Sequence, residues 1–162
     1  MSMILPEIVD SHCHLDFPEL LKDIDNVVCR AKRRGVCKFV TICTKEEDLE
    51  KVISLAESFK EIYFAFGLHP MNVSDSCKIS LESLLKAAKH PKMIGIGETG
   101  LDYYYTVETK ELQIESLITH IVAARKTNLP LIIHSRNADE DMGNILVGEF
   151  NREPFKCVMH CF

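Results

Sequence analysis

The sequence predicts an α/β fold built around one parallel β-sheet, and three observations support this prediction. Short apolar runs alternate with longer segments of helical pattern along the whole chain. The runs are apolar throughout, as is typical of parallel strands that are covered on both faces. Histidines fall where these runs end. The carboxyl ends of parallel strands share one edge of a sheet, where β/α barrels place their functional residues.

Six strands and five helices are predicted from these patterns. Strict alternation of strand and helix implies right-handed crossovers and a single sheet. The predicted strands span residues 7–12, 38–42, 62–66, 92–97, 129–134 and 156–161. The predicted helices span residues 19–34, 45–60, 80–90, 107–127 and 137–151.

Local signals agree with the helix boundaries. Ser80 precedes the third helical pattern, and serine is a good N-cap because its hydroxyl can accept a hydrogen bond from a free backbone N–H. Acidic residues 46–48 open the second pattern, where the helix dipole favours negative charge. Gly35 follows two arginines and marks the end of the first helix.

The chain of 162 residues contains no linker or low-complexity segment, which predicts a single domain over residues 1–162. An eight-stranded β/α barrel usually needs about 250 residues. The patterns alone therefore leave two alternatives: a smaller open sheet, or roughly the first two-thirds of a barrel.

Composition narrows the classes of function. A formal net charge of −5 argues against a protein that holds nucleic acid by a broad basic surface. It still allows a nuclease whose phosphate contacts come from bound cations. The seven cysteines form no CxxC pair and are expected to be reduced thiols. The first residues lack the features of an export signal, no run is long enough to span a membrane, and a cytoplasmic location is predicted.

The strand-end histidines predict a metal site. His12 and His14 are two residues apart, so on a strand they point to the same side and can grip one ion. Glu98, His134 and His160 each close an apolar run. Imidazole and carboxylate groups bind divalent metals, and one carboxylate can bridge two ions about 4 Å apart. Such a pair of ions can activate water and stabilise a leaving alkoxide.

The motifs of the chain resemble those of the TatD family of metal-dependent deoxyribonucleases, which are amidohydrolase-like barrels. The matching segments are DSHCHLD at 10–16, GLHP at 67–70, GIGETGLD at 95–102, HSRNA at 134–138 and HCF at 160–162. The resemblance covers essentially the whole chain. It implies a TIM (β/α)8-type barrel of which about six βα units are present. The implied activity is hydrolysis of phosphodiester bonds in DNA, so DNA is the expected partner, as substrate. The resemblance also implies one or two divalent ions (Mg, Mn or Zn), with His12, His14, Glu98, His134 and His160 as their ligands and Glu98 as the bridging catalytic residue.

Two departures from the family pattern have consequences. Leu117 and His120 stand where the family tends to have Phe and Gln, which implies a mild change of packing. The family also places a last metal ligand, an Asp, at the end of strand eight. Strands seven and eight are expected to be missing from a chain truncated at its C-terminus, so catalysis should be impaired. Unpaired edges at strands one and six predict self-association or marginal stability.

Other polar residues have both a functional and a structural interpretation. His69 and Arg136 are interpreted as substrate contacts, although His69 could simply brace its turn and Arg136 could form a structural ion pair. Asp102 could position a loop or substrate. Tyrosines 103–105 could stack on bases or only pack a loop. His90 and His120 lie in predicted helices and are expected at the surface.

Three hypotheses for the function remain. The first is a metal-dependent deoxyribonuclease of the TatD type, which the GETGLD and HSRxA motifs favour. The second is an amidohydrolase-like enzyme that acts on another small phosphoester or amide. The third is a truncated chain that binds metal or a partner without turnover.

Overall fold

The computed structural model describes residues 7–160, and its centre is a six-stranded parallel sheet whose strand order follows the sequence. The predicted α/β class and βα alternation are confirmed. The strands are β1 (Ile8–Cys13), β2 (Val36–Cys43), β3 (Ile62–Phe66), β4 (Met93–Asp102), β5 (Leu131–Arg136) and β6 (Cys157–His160).

Helices connect successive strands on the outside of the sheet. They are α1 (Pro18–Leu21), α2 (Ile24–Arg33), α3 (Leu49–Ser58), α4 (Leu81–Ala87), α5 (Lys110–Thr127) and α6 (Asp139–Arg152). Short 3₁₀ turns precede α3 and α5 and follow β3. Ser80 caps α4 as predicted, because its hydroxyl accepts a hydrogen bond from the backbone N–H of Ser83.

The sheet curls as part of a barrel. The rings of His12 on β1 and His160 on β6 are stacked with centroids 3.4 Å apart. In a flat sheet of strands spaced about 4.8 Å apart, strands one and six would lie about 24 Å from each other. The contact between the first and sixth strands therefore requires strong curvature, and the barrel interpretation is confirmed over the open sheet.

Two predicted elements differ from the structure. The predicted helix 19–34 is interrupted between Leu21 and Ile24, so it forms the separate helices α1 and α2. The fourth strand does not end at Gly97 but runs to Asp102, because its second half pairs with β5 through residues 99–102. That half carries buried polar residues, so it contains no apolar run that would predict a strand.

Alternate residues of the central strands pack on opposite faces of the sheet. Phe64 and Phe66 belong to the large core beneath the helices, whereas Ala65 between them belongs to a smaller cluster with Ile42 and Ile132. Residues i and i+2 of a strand point to the same side, so the two clusters cover the two faces. Coverage of both faces explains why the strand runs are apolar throughout.

Several smaller expectations can be compared with the structure. His90 follows α4 and is half-buried. Its ring packs against the Phe64 ring with centroids 5.3 Å apart, and its Nε2 lies 3.4 Å from Oε1 of Glu57. The prediction of a helix surface residue is therefore wrong. The six cysteines among residues 7–160 are free thiols. In the same part of the chain, no helix is both long and apolar enough to cross a membrane.

We expect the protein to self-associate through its sheet edges. Each of β1 and β6 has one neighbouring strand among the described residues, and Val9 and Val158 on these strands are 54% and 53% exposed. Free edges with apolar side chains favour pairing between chains.

Light scattering should show species larger than the monomer, and V9K/V158K should shift the distribution toward the monomer because charge on an edge opposes pairing. I118K/V147K, which adds the same two charges on α5 and α6, should not. A monodisperse monomer for the unsubstituted protein would contradict this expectation.

Candidate metal centre

Side chains at the carboxyl ends of five strands meet in one cluster, and Glu98 of β4 lies at its centre. The Glu98 carboxylate is 3% exposed. Its Oε2 lies 3.2 Å from Nε2 of His12, and its Oε1 lies 3.2 Å from Nδ1 of His134 and 3.7 Å from Nε2 of His69. Histidines from three different strand ends therefore face one carboxylate.

A bulge in β4 positions Glu98. The register between β4 and β5 shifts between Ile96 and Thr99, and an extra residue in a strand re-aims its side chains. Gly97 and Gly100 flank the bulge with φ of 130° and 147°. A Cβ on Gly100 would come within 1.9 Å of the His134 carbonyl oxygen. Only glycine allows β4 to approach β5 this closely, so these two glycines place Glu98 beside His134.

The histidines around Glu98 determine its charge. Burial alone would raise the pKa of this carboxyl, but the adjacent imidazoles of His12 and His134 outweigh burial and hold it far below its usual range. Glu98 is consequently an anion in a site with little solvent. An anion with that degree of burial requires cationic partners.

His134 lies between two carboxylates. Its Nδ1 faces Glu98, and its Nε2 lies 3.0 Å from Oδ2 of the fully buried Asp102. Burial would lower the pKa of His134, but these two carboxylates outweigh it and raise the pKa. A carboxylate behind a ligating histidine is the usual arrangement at metal sites, because it fixes the orientation of the ring. Asp102, whose role the sequence left open, therefore orients His134.

His14 and His160 complete the cluster from the two edge strands. The rings of His12 and His14 make an edge contact with centroids 5.5 Å apart, and His160 stacks on the other side of His12. Burial and the nearby His12 lower the pKa of His160, which favours the neutral imidazole that a metal requires. The structure thus brings all five residues interpreted as ligands into one cluster, but the two groups of possible ligands within 4.8 Å contain His12, His14, Glu98 and His134 and, in place of His160, His69.

His69 has a different role from the other histidines. Its Nδ1 accepts a hydrogen bond from the backbone N–H of Met71, so in the neutral ring the proton is on Nε2, the nitrogen directed toward Glu98. Burial lowers the pKa of His69 to about 4, which keeps the ring neutral. In this tautomer Nε2 donates hydrogen bonds, and it could ligate a metal only if the proton moved to Nδ1 and the bond from Met71 were lost. The geometry therefore favours a contact to substrate oxygen, although His69 also lies close enough to form a ligand group with Glu98 and His134.

The donor set fits a divalent metal. His12, His14 and Glu98 offer ligand atoms within 4.8 Å of one another. Nδ1 of His14 is buried and has no hydrogen-bond partner among the described residues, and Nε2 of His12 has only the Glu98 carboxylate at 3.2 Å. A buried ring nitrogen without a partner is costly unless a cation binds it. Because Glu98 belongs to two such groups of ligands, it is the residue that two ions could share.

His120 is buried, so the expectation of a surface position is wrong. Its ring is 0% exposed. Its Nε2 accepts a hydrogen bond from the Leu68 N–H. Its Nδ1 lies 2.7 Å from the Ser116 carbonyl oxygen and 3.2 Å from the Thr99 hydroxyl. Leu68 precedes His69 and Thr99 follows Glu98, so His120 holds the backbone before His69 and the side chain after Glu98. The signal was present in the sequence: His120 lies on the same helical stripe as Leu117 and Ala124, which are also buried.

Arg136 and the tyrosines after β4 lie beside the cluster. Arg136 is exposed, and its guanidinium carbon lies 4.5 Å and 4.7 Å from the ring centroids of Tyr104 and Tyr105. Tyr103 instead packs inward and donates a hydrogen bond from its hydroxyl to Asp141. The structure thus places Arg136 at the rim, where solvent reaches it.

Fold and site together define a β/α barrel protein with a polyhistidine–carboxylate centre at the carboxyl ends of its strands. Residues 9–162 match the family of TatD related DNases, and the chain belongs to this family. The family suggested by the sequence motifs is therefore confirmed.

Curated relatives of the chain are named as metal-dependent hydrolases without further characterisation. The uncharacterized metal-dependent hydrolase YcfH of Escherichia coli K12 is 39% identical over 160 residues, which cover 96% of this chain and 58% of the relative. YabD of Bacillus subtilis, named in the same way, is 34% identical and covers 96% and 60%. The chain thus spans about three-fifths of the length of these relatives.

Solved structures agree with the fold. YjjV of Escherichia coli K12, described as a TatD homologue, superimposes with a TM-score of 0.83 at 32% identity, over 96% of this chain and 60% of that one. A hydrolase of the TatD family from Entamoeba histolytica gives the same TM-score at 23% identity, over 99% and 60%. The second similarity supports the fold alone.

We expect His120 to stabilise the backbone under the site through its neutral ring. H120L would leave the Leu68 N–H buried without an acceptor, at a cost of about 1–3 kcal/mol in the free energy of unfolding. H120Q keeps an acceptor and should restore most of it. Urea unfolding of the metal-free protein, followed by circular dichroism, measures both. Equal stability of H120L and the unsubstituted protein would show that the bond contributes nothing.

The same histidine should make stability depend on pH. Burial lowers the pKa of His120 from 6.5 to about 4. Between these values the unfolded chain binds a proton that the folded chain does not, so folding stability falls as the pH falls. The loss from this group between pH 7 and pH 5 should be about 2 kcal/mol. H120Q should lack that part of the loss, and unfolding curves at the two pH values for both proteins measure the difference. Parallel pH profiles would contradict it.

Proposed function

We propose that the protein is a metal-dependent hydrolase that cleaves phosphodiester bonds of DNA. The observation that carries this proposal is the buried Glu98 carboxylate shared by two groups of ligands, in a chain that belongs to the TatD related DNase family. Divalent ions bound there would provide an activated water and neutralise the charge that develops on a phosphodiester. His12, His14, Glu98, His134 and His160 would hold them; Mg, Mn and Zn all remain candidates.

The residues of the chain divide the remaining work. Asp102 keeps His134 oriented through the contact to its Nε2. His69 presents an Nε2 proton toward the Glu98 carboxylate, so it can donate a hydrogen bond to a phosphate oxygen held in the same place. Arg136 at the rim can neutralise a neighbouring phosphate, since guanidinium groups match phosphate oxygens in a bidentate manner.

The overall charge of the protein supports cation-mediated binding of DNA. The net charge is −5, so the surface as a whole repels a polyanion. Two divalent ions would add about +4 at a single place. We infer that affinity for DNA is concentrated at the metal centre and its rim, and that binding depends strongly on the metal.

Two other functions remain as candidates. A small phosphoester or amide substrate fits the same ligands, and the net charge of −5, which repels a polyanion, favours it. Both Glu98 oxygens face histidines, His12 and His134, and Glu98 is the sole carboxylate of the two ligand groups. These groups therefore offer no second carboxylate to accept a proton from water, which favours metal binding without turnover. Assays with oligonucleotides, with a small phosphodiester and by metal titration separate the three functions.

We expect Glu98 to have a larger effect on metal binding than any single histidine. E98A should abolish binding of both ions, because both ligand groups lose their only carboxylate, whereas H14A should weaken one ion and leave the other. Isothermal titration with Mn²⁺ or Zn²⁺ gives the stoichiometry, and a fluorescent single-stranded oligonucleotide reports cleavage. E57A, at an exposed carboxylate on α3, is the matched control and should behave as the unsubstituted protein.

Two outcomes would contradict specific parts of this proposal. If E98A still bound two ions, the shared role of Glu98 would be wrong. If the unsubstituted protein bound metal and cleaved a small phosphodiester but no oligonucleotide, DNA would be the wrong substrate.

A further inference from the structure

Tyr104, Tyr105 and Arg136 form a compact exposed group, here called the tyrosine–arginine platform. The tyrosines are 58% and 53% exposed, and their rings make an edge contact with centroids 4.6 Å apart. The Arg136 guanidinium lies over both rings. Two large aromatic side chains and a cation thus share one solvent-exposed rim.

The backbone holds the platform in a fixed place. Arg136 is the register partner of Asp102 in the β4–β5 ladder, and its carbonyl oxygen accepts a hydrogen bond from Tyr103 N–H. The backbone N–H groups of Tyr104 and Tyr105 both donate to Oδ1 of Asp102, at 3.0 Å and 2.8 Å. The exposed side chains therefore project from an ordered turn.

Asp102 connects this turn with the metal centre. Oδ1 of its carboxylate receives the two tyrosine N–H groups, and Oδ2 contacts Nε2 of His134. Burial would raise the pKa of this carboxyl, but the Tyr105 N–H and His134 outweigh burial and lower it. One fully buried anion thus sets the distance between a ligand histidine and the platform.

The platform offers two free chemical functions. Arg136 forms no ion pair with any acidic residue between 7 and 160, so its N–H groups are available to an outside anion. The parts of the exposed aromatic rings that Arg136 does not cover are available for stacking. Tyr103 shows the contrast, because its hydroxyl is bonded to Asp141 and its side chain is half-buried. Of three consecutive tyrosines, one is structural and two face solvent.

We propose that the tyrosine–arginine platform is a subsite for one unpaired nucleotide next to the cleaved phosphodiester. The base stacks on the face of one of the two mutually perpendicular rings of Tyr104 and Tyr105, and the phosphate of the same nucleotide pairs with Arg136. Every base has a π-face, so such stacking tolerates any sequence. A base inside a duplex is already stacked, so the subsite selects an unpaired one. This inference rests on the proposed function for its substrate.

The test compares binding of two single-stranded oligonucleotides, one with normal bases and one with abasic residues. Both oligonucleotides carry phosphorothioate linkages, which resist hydrolysis, so fluorescence anisotropy in the presence of Mn²⁺ measures affinity with the metal bound. Y104L/Y105L should weaken binding of the normal oligonucleotide about tenfold and leave the abasic one unchanged. R136Q should weaken both equally and flatten the salt dependence, because it removes a phosphate contact. Y103F is the matched control and should bind both as the unsubstituted protein does.

Each outcome separates the subsite from the proposed hydrolysis. Loss of base-dependent binding in Y104L/Y105L supports the subsite, even if a parallel assay with Mn²⁺ shows no cleavage and the proposed hydrolysis fails. Equal affinity of the unsubstituted protein and Y104L/Y105L for the normal oligonucleotide overturns the subsite, even if cleavage is normal. Undetectable binding of the normal oligonucleotide to the unsubstituted protein overturns it as well. Circular dichroism of each variant verifies the fold.

Discussion

The buried charge of Glu98 is the constraint around which the site is built. An ionised carboxylate that is 3% exposed is costly unless charges or donors surround it. Four strands besides β4 end close to it, and β1, β3, β5 and β6 each contribute a histidine to the cluster. The curvature of the sheet is necessary for this, because only a curled sheet brings the ends of β1 and β6 to the same centre. The fold and the charge therefore support each other.

Close approach of β4 to β5 is the second requirement, and it costs side-chain volume. Gly97 and Gly100 have no space for a Cβ against the backbone of β5. That approach also places the second half of β4 under α5, where His120 and Gln113 bond its backbone and the neighbouring loop. The Leu68 N–H, the Thr99 hydroxyl and the Asp102 N–H are thus buried near Glu98, and each has a partner on α5. The helix α5 is consequently part of the support of the site and not only a cover for the sheet.

The sequence predicted the strands and the polar residues at their ends well because both depend on local patterns. Apolar runs define β3 without error, and the histidines that close or follow four of the six runs lie at the shared edge by the geometry of parallel strands. The missed features depend on contacts between distant residues. The second half of β4 is a strand because of its pairing with β5, and Asp102 orients His134 from 32 residues away. His120 lies on the buried face of α5 with Leu117 and Ala124, and this spacing indicates burial. Histidine as a residue type is only intermediate in burial, so residue type alone does not predict its position.

Asp102 shows how one anion can coordinate recognition and chemistry. Its two oxygens have separate partners, and neither can move without the other because the carboxylate is planar and fully buried. A shift of the exposed tyrosines would be transmitted through Oδ1 and Oδ2 to the ring of His134. Positioning errors of about 1 Å at a reacting centre can cost 100-fold in rate, so a rigid link of this kind has a direct use. In the proposed subsite it would hold a nucleotide on the rim at a fixed distance from the ligands, which gives the fully buried Asp102 a role beside an exposed turn.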